Sequence, residues 1–291
     1  MSGSNMKLRV CSVANMASEK QIDTARSHWD ARAVRYTETA NKRVTLQCAQ
    51  QLHAHLQLES AKSVLEVGAG AGLCSLDALT RMADAQSESK KRFVVTDLSP
   101  KMVQMAQENL QAASETVWDR VQVDIIEANG QDLVNIKSAS MDRYISSLCL
   151  HICPDPDALL REARRVLTSD GVAGFTIWGR PEFSGAFTID AAAGNRSAQV
   201  TDPTTPTSPW GKTLTLCAGA LKPPASVAWS SGRFCAWSAD AFVDFYYDAF
   251  STTNDEARGR RKEAAKRLAS EWLVSKSIPI GLETYIILAR P

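Results

Sequence analysis

Residues 64 to 73 constrain this chain more than any others. An apolar strand, Val64-Leu65-Glu66-Val67, runs straight into Gly68-Ala69-Gly70-Ala71-Gly72, with glycine at every second position. A loop without side chains at the end of a buried strand lets backbone come against a ligand, and the helix that follows directs its N–H groups at it. A nucleotide-like cofactor is the first inference. The dinucleotide fingerprint G-x-G-x-x-G would require glycine at 73, where the chain has Leu73, and a phosphate-cradling loop would require a Lys-Ser/Thr pair after its second glycine. The one Gly-Lys-Thr, Gly211-Lys212-Thr213, has Pro206 where that loop's first glycine belongs.

The segments that follow alternate apolar strands with helices. Residues 92–97 form a second strand ending in Asp97, with Ser99 placed as an N-cap and Pro100 at the first helical position. A carboxylate at the tip of the second strand of a doubly wound sheet lies where a ribose presents two hydroxyls, which makes Asp97 the expected ribose ligand. Leu98 and Met102 would then offer apolar surface to a base. Strands are predicted at 121–126, 141–152 (the fourth strand with its exit) and 172–178, with a helix over 157–167 closed by Thr168-Ser169-Asp170-Gly171, and with another helix, 40–58, leading into the first strand. Near-continuous apolar strands separated by helices predict a parallel α/β sheet covered on both faces.

The acid-x-Gly-x-Gly-x-Gly run, together with these elements over 63–180, resembles the core of class I S-adenosylmethionine-dependent methyltransferases, nearest to their small-molecule, ubiquinone-type branch. The resemblance implies a Rossmann-like sheet, mostly parallel with an antiparallel last strand, and S-adenosylmethionine as cofactor. By it, Gly68, Gly70 and Gly72 admit the methionine part and Glu66 sits near its amino group. Asn129, where most relatives have Asp, and Gly130 lie under the adenine edge, where an amide oxygen can still accept from the adenine amino group. Ser147 and Leu148 follow the fourth strand beside the cofactor. Trp29-Asp30-x-x-Ala33-x-x-Tyr36 looks like the family's lead-in segment, whose tyrosine closes over the cofactor. Residues 226–237 and 282–290 would supply the closing hairpin, with helices at 238–250 and 256–275 between them.

In such a fold the ligand crevice lies outside the carboxyl ends of the strands, which places Ser147, Leu148, His151, Trp178 and Arg180 around the acceptor. His151 is read either as a general base for a hydroxyl or amine or as a capping histidine beside Pro154. Arg180 is read either as a clamp on an acceptor carboxylate or phosphate or as a surface arginine. Trp210, Trp229 and Trp237 would line an apolar or cationic pocket or pack the tail onto the core.

Composition narrows the class. Net charge is +1, from 33 basic and 32 acidic side chains spread through the chain, so there is no basic stripe of the kind nucleic acid demands. Seven cysteines without paired spacing suit a reducing compartment. Cys149-x-His151-x-Cys153 invites a metal reading, but no second ligand pair of zinc spacing accompanies it, so core packing is preferred and no metal is expected. No apolar run approaches the ~20 residues that span a bilayer. The expectation is a cytoplasmic enzyme of one domain, 21–291, after a flexible leader, 1–20, for which organelle targeting stays open. Six of the eleven prolines fall within 181–225, a stretch dense in Thr, Ser, Gly and Ala and therefore read as an irregular lid or substrate insertion. The expected reaction is methyl transfer to a small-molecule acceptor by in-line displacement. A non-catalytic cofactor-binding subunit and a protein or RNA methyltransferase are the alternatives. Oligomeric state is left open.

Overall fold

The apolar runs line up in one sheet. The computed structural model describes residues 18–84, 89–111, 113, 115–180, 184–194, 227–250, 255–276 and 279–291. Its strands are β1 (Ser63–Val67), β2 (Lys91–Asp97), β3 (Val121–Glu127), β4 (Met141–Ser147), β5 (Leu167–Trp178), β6 (Val227–Trp237) and β7 (Ile280–Ala289). They lie in the order β3-β2-β1-β4-β5-β7-β6. Strands β1 to β5 pair in parallel, while β7 runs antiparallel to both β5 and β6. This is the mostly parallel, doubly wound architecture expected, with one reversed strand in the closing pair.

Pleat parity sends successive side chains to opposite layers. Leu65 and Val67 join Tyr144, Phe175 and Ile177 under Leu159, Leu160 and Ala163 of helix α6 (Pro156–Val166). Val64 joins Phe93, Val95 and Ile145 under Leu52 and Leu56 of α2 (Leu46–Leu56) and Leu79 and Met82 of α3 (Leu73–Asp84). Each such side chain contributes roughly 1.5–3 kcal/mol when fully buried, which is why the central strands carry no polar alternation. Helix α4 (Pro100–Leu110) starts where the sequence placed it: the Ser99 hydroxyl accepts from Met102 N at 3.0 Å and Pro100 occupies the first turn. A short helix, α5 (Glu115–Arg120), leads into β3.

Three boundaries differ from expectation. Helix α6 begins one residue earlier, capped by Asp155, whose Oδ1 accepts from Ala158 N at 3.0 Å, and β5 starts directly at Leu167. Residues 168–171 are not a closing turn but part of β5, taken up by a slip in the β4–β5 pairing between Met141↔Leu167 and Arg143↔Val172. The N-terminal helix is also longer. Helix α1 (Glu19–Tyr36), closed at its start by a Ser18–Gln21 capping box, runs directly into a π-helical segment, Thr37–Thr45, and then α2. The hydroxyls of Thr37 and Thr39 bond back to the carbonyls of Ala33 and Arg35 at 2.8 and 2.7 Å, loosening the helical ladder where the wide turns begin.

The third difference lies in the expected insertion. Residues 186–193 form a helix, α7 (Ala186–Ala193), because this proline-free, alanine-rich run can bury Ala186 and Ile189 against Phe242, Ala265 and Ile280. The remainder of the lid expectation, 181–183 and 195–225 with Trp210, lies outside the described residues, as do residues 1–17 of the leader and the side chain of Trp229. The tail adds α8 (Ala239–Phe250) and α9 (Asp255–Ser275) before β7. Trp237 packs 5.1 Å from Phe245 and 6.1 Å from Phe242, centroid to centroid, so it joins α8 to the sheet instead of lining a pocket. Among the described residues, no helix is long and apolar enough to cross a membrane.

Candidate active site

The glycine loop turns back over the tip of β2. Gly68, Gly70 and Gly72 all have positive φ, 72°, 58° and 77°, a region closed to most side-chain-bearing residues. Gly68 N and Ala69 N both donate to Thr96 O at 3.0 Å, and Gly70 N donates to Asp97 Oδ2 at 2.8 Å. The three glycines serve different ends. A Cβ on Gly68 would stand 2.6 Å from Cys149 Sγ, and one on Gly72 would stand 2.5 Å from Leu110 Cδ1 and 3.0 Å from Ala106 Cα. The third glycine therefore lets α3 and α4 close on each other, while Gly68 and Gly70 line the cleft.

Asp97 sits at the centre of that cleft. Its Oδ1 accepts from Ser99 N at 2.9 Å and its Oδ2 from Gly70 N, so the carboxylate is oriented before any ligand arrives. Burial pushes its pKa up, opposed by the N–H groups of Ser99, Gly70 and Leu98. Asp30 of α1 ties the roof to the floor. It accepts from Ser99 Oγ at 2.5 Å and from Lys101 N at 3.2 Å, and Arg26 pairs with Glu127 at 3.3 Å. Ala25, Trp29 and Tyr36 of α1 thereby cover the cleft over Leu98 and Met102, with Trp29 and Tyr36 edge to face at 5.2 Å. Burial holds the Tyr36 phenol above its ordinary range, fully protonated.

Asn129 and Gly130 form the opposite wall. The Asn129 amide oxygen accepts from both Gln131 N at 3.1 Å and Gln131 Nε2 at 3.0 Å. Both of its lone pairs are engaged, so the acceptor role expected for that oxygen is not on offer, and the amide's remaining capacity is as a donor. Gln131 is held in turn by Asp155 N, which donates to its Oε1 at 2.6 Å. Glu66 does not line the cleft. It shares parity with Val64, lies 1% exposed beneath the loop, and burial pushes its carboxyl up to about 7.

The far end of the cleft is built by the exit of β4. Ser147 Oγ and Thr176 Oγ1 are 2.8 Å apart, and Leu148 N donates to Thr176 O at 3.0 Å and Oγ1 at 2.9 Å. These bonds hold Leu148 at φ 55°, an uncommon conformation for a leucine, and put it with Ser147 on the cleft wall. His151 is in the 3₁₀ turn Leu150–Ile152, behind the lining residues and 6.3 Å from Trp178, ring to ring. Burial pushes its pKa down to about 4, leaving the imidazole neutral and a weak base. Trp178 contacts Phe187 at 6.1 Å, away from the cleft. Arg180 also lies outside it, paired with Glu283: Nη2 is 3.1 Å from Oε1, and Arg180 N donates to Oε2 at 2.7 Å. Its charge is answered within the protein by a carboxylate that sequence reasoning had not singled out. Among the described residues, no cluster of three His, Cys, Asp or Glu side chains could hold a metal ion.

Sheet order, glycine loop and cleft together define a Rossmann-like α/β domain with a ligand cleft at the carboxyl ends of its strands. Residues 65–175 match the family described as methyltransferase domain. A highly reducing polyketide synthase from the fungus Cordyceps militaris is 29% identical over 137 residues, 47% of this chain. The chain spans only 5% of the length of that relative. Among solved structures, the cyclase SpnF matches with a TM-score of 0.55 at 13% identity, covering 91% of this chain and 94% of its own. A candidate methyltransferase from Bacillus halodurans matches with a TM-score of 0.53 at 14% identity, covering 84% and 98%. These structural likenesses are likenesses of fold.

Proposed function

We propose that the protein transfers the methyl group of S-adenosylmethionine to a small-molecule acceptor by in-line displacement. The observation that carries this reading is the pre-oriented Asp97 carboxylate beside a positive-φ glycine loop, under the aromatic roof of Trp29 and Tyr36. The residues fit the cofactor in kind. Asp97 can accept from paired hydroxyls, Leu98 and Met102 give an apolar face to a base, and the Asn129 amide donates to a ring nitrogen. Gly68 and Gly70 bring bare backbone to the cleft wall for a chain carrying its own charge. When bound, the cofactor supplies a methyl carbon made electrophilic by its sulfonium.

Everything else falls to alignment and the exclusion of water. Ser147 and Leu148, fixed through Thr176, set the wall on which the acceptor rests. His151 lies behind the cleft wall and is a weak proton acceptor, which suits a reaction driven mainly by positioning. Arg180 is neutralised by Glu283 and so does not offer its charge to an acceptor, which favours an uncharged acceptor over a carboxylate or phosphate. The likeness to a polyketide synthase supports the same class. The test is transfer of labelled methyl from S-adenosylmethionine to a panel of neutral phenolic and polyketide-like compounds, run beside RNA and protein substrates. Transfer to the small molecules is expected. Label in RNA or protein alone would overturn the acceptor class, and cofactor binding without transfer to any of them would favour a non-catalytic subunit.

A further inference from the structure

Two thiols stand together in the wall of the cofactor cleft. Cys149 and Cys153, at either side of the 3₁₀ turn Leu150–Ile152, are both unbridged and half-buried, and their sulfurs are 3.7 Å apart. Both line the cleft. Cys48 and Cys74, by contrast, are buried in the core. The Cys149 sulfur lies directly against the glycine loop, where it leaves no room for a Cβ on Gly68. The Cys153 thiol points its hydrogen at the Cys149 carbonyl at 3.5 Å, which keeps that proton in place and leaves Cys149 as the first nucleophile.

We propose that Cys149 and Cys153 are a reversible oxidation site, at which hydrogen peroxide joins the two sulfurs and turns off cofactor binding. The inference rests on the cofactor assignment above. With peroxide, the Cys149 thiolate attacks one oxygen, the O–O bond breaks, and hydroxide leaves and is protonated to water, giving a sulfenic acid. The Cys153 sulfur then attacks the Cys149 sulfur, losing its proton and expelling the hydroxyl as a second water. The thiols are oxidised by two electrons and the peroxide is reduced by two. Joining the sulfurs requires closing 3.7 Å to about 2.05 Å. That draws the Cys149 sulfur from its seat against Gly68 and pulls on the turn that carries the cleft wall. Reduction by a dithiol restores the open state.

The experiment titrates S-adenosylhomocysteine into the full chain, reduced and after peroxide treatment, with peptide mapping of the oxidised sample. A Cys149–Cys153 cross-link and a loss of affinity of about tenfold or more are expected, the size of a steric misfit in a packed site. Dithiothreitol should restore the affinity. Cys149→Ser, which lacks the first nucleophile, compared with itself before and after oxidation, should lose the dithiothreitol-reversible response. Oxidised protein cross-linked at a different pair, or cross-linked at 149–153 with unchanged affinity, would overturn the proposal. No binding by the reduced protein would instead overturn the cofactor assignment on which it rests.

Discussion

At the scale of single residues, the site depends on carboxylates placed where water is scarce. Asp97 stays useful because backbone N–H groups satisfy it without neutralising it, so its outer lone pairs remain directed into the cleft. Glu66 shows the opposite balance. Buried beneath the loop, beside Ser75 and within reach of the Asp97 charge, it holds its proton up to about pH 7 in the folded protein against an ordinary value of 4.5. A carboxyl with a raised folded pKa adds stability that is complete below its unfolded value and is lost as pH rises through its folded value. For Glu66 that window runs from 4.5 to about 7, and a shift of this size corresponds to about 3 kcal/mol. Glu66→Gln, which cannot ionise, should therefore unfold at higher urea than the parent at about pH 8, with the advantage shrinking toward about pH 5. Equal midpoints across that range would show that Glu66 ionises freely in the folded state.

At the scale of elements, the sequence was most legible where a periodic pattern met a local cap. Ser99-Pro100 announced α4, and the apolar runs announced the central strands, because those signals lie within a few residues of their effect. It was least legible where partners come from afar. The Arg180–Glu283 pair joins residues 103 apart in the chain, and nothing near either one marks the other. The Asn129 oxygen was likewise taken by a near neighbour whose own orientation depends on Asp155. The π-helical junction after Tyr36 left no periodic signature, since threonine back-bonding is a tertiary choice as much as a local one. The strained exit of β4 belongs to the same group, for it takes Thr176 on β5 to hold Leu148 in place. Thr176→Val keeps shape but removes the hydroxyl that accepts from Leu148 N and shares a hydrogen bond with the Ser147 hydroxyl. Leu148 N keeps its bond to Thr176 O, so the variant should cost about 0.5–1.5 kcal/mol in urea unfolding, the net worth of an ordinary hydrogen bond, and should lower methyl-transfer kcat more than it weakens S-adenosylhomocysteine binding. An unchanged kcat would separate the β4 exit from the acceptor site.

At the scale of the whole molecule, the doubly wound sheet brings the glycine loop, Asp97 and the Asn129 loop to the carboxyl ends of β1, β2 and β3, while α1 crosses over them as a roof latched through Asp30. The closing pair β6–β7 and helices α7 to α9 build a separate apolar layer around Leu148. The cleft is thus lined by residues that lie close to recognisable motifs, while the neighbouring apolar layer is assembled largely from the tail, which is why a cofactor class was readable from motifs and an acceptor was not. Everything proposed for the protein depends on the cleft at Asp97 binding S-adenosylmethionine and its demethylated product. Isothermal titration of S-adenosylhomocysteine into the reduced full chain tests this most directly. One saturable site per chain is expected, with Asp97→Ala folded but weakened by about 1.5–3 kcal/mol, the range for hydrogen bonds to a charged group. A folded protein that takes up no S-adenosylhomocysteine, or a folded Asp97→Ala variant that binds it as tightly as the parent, would contradict it.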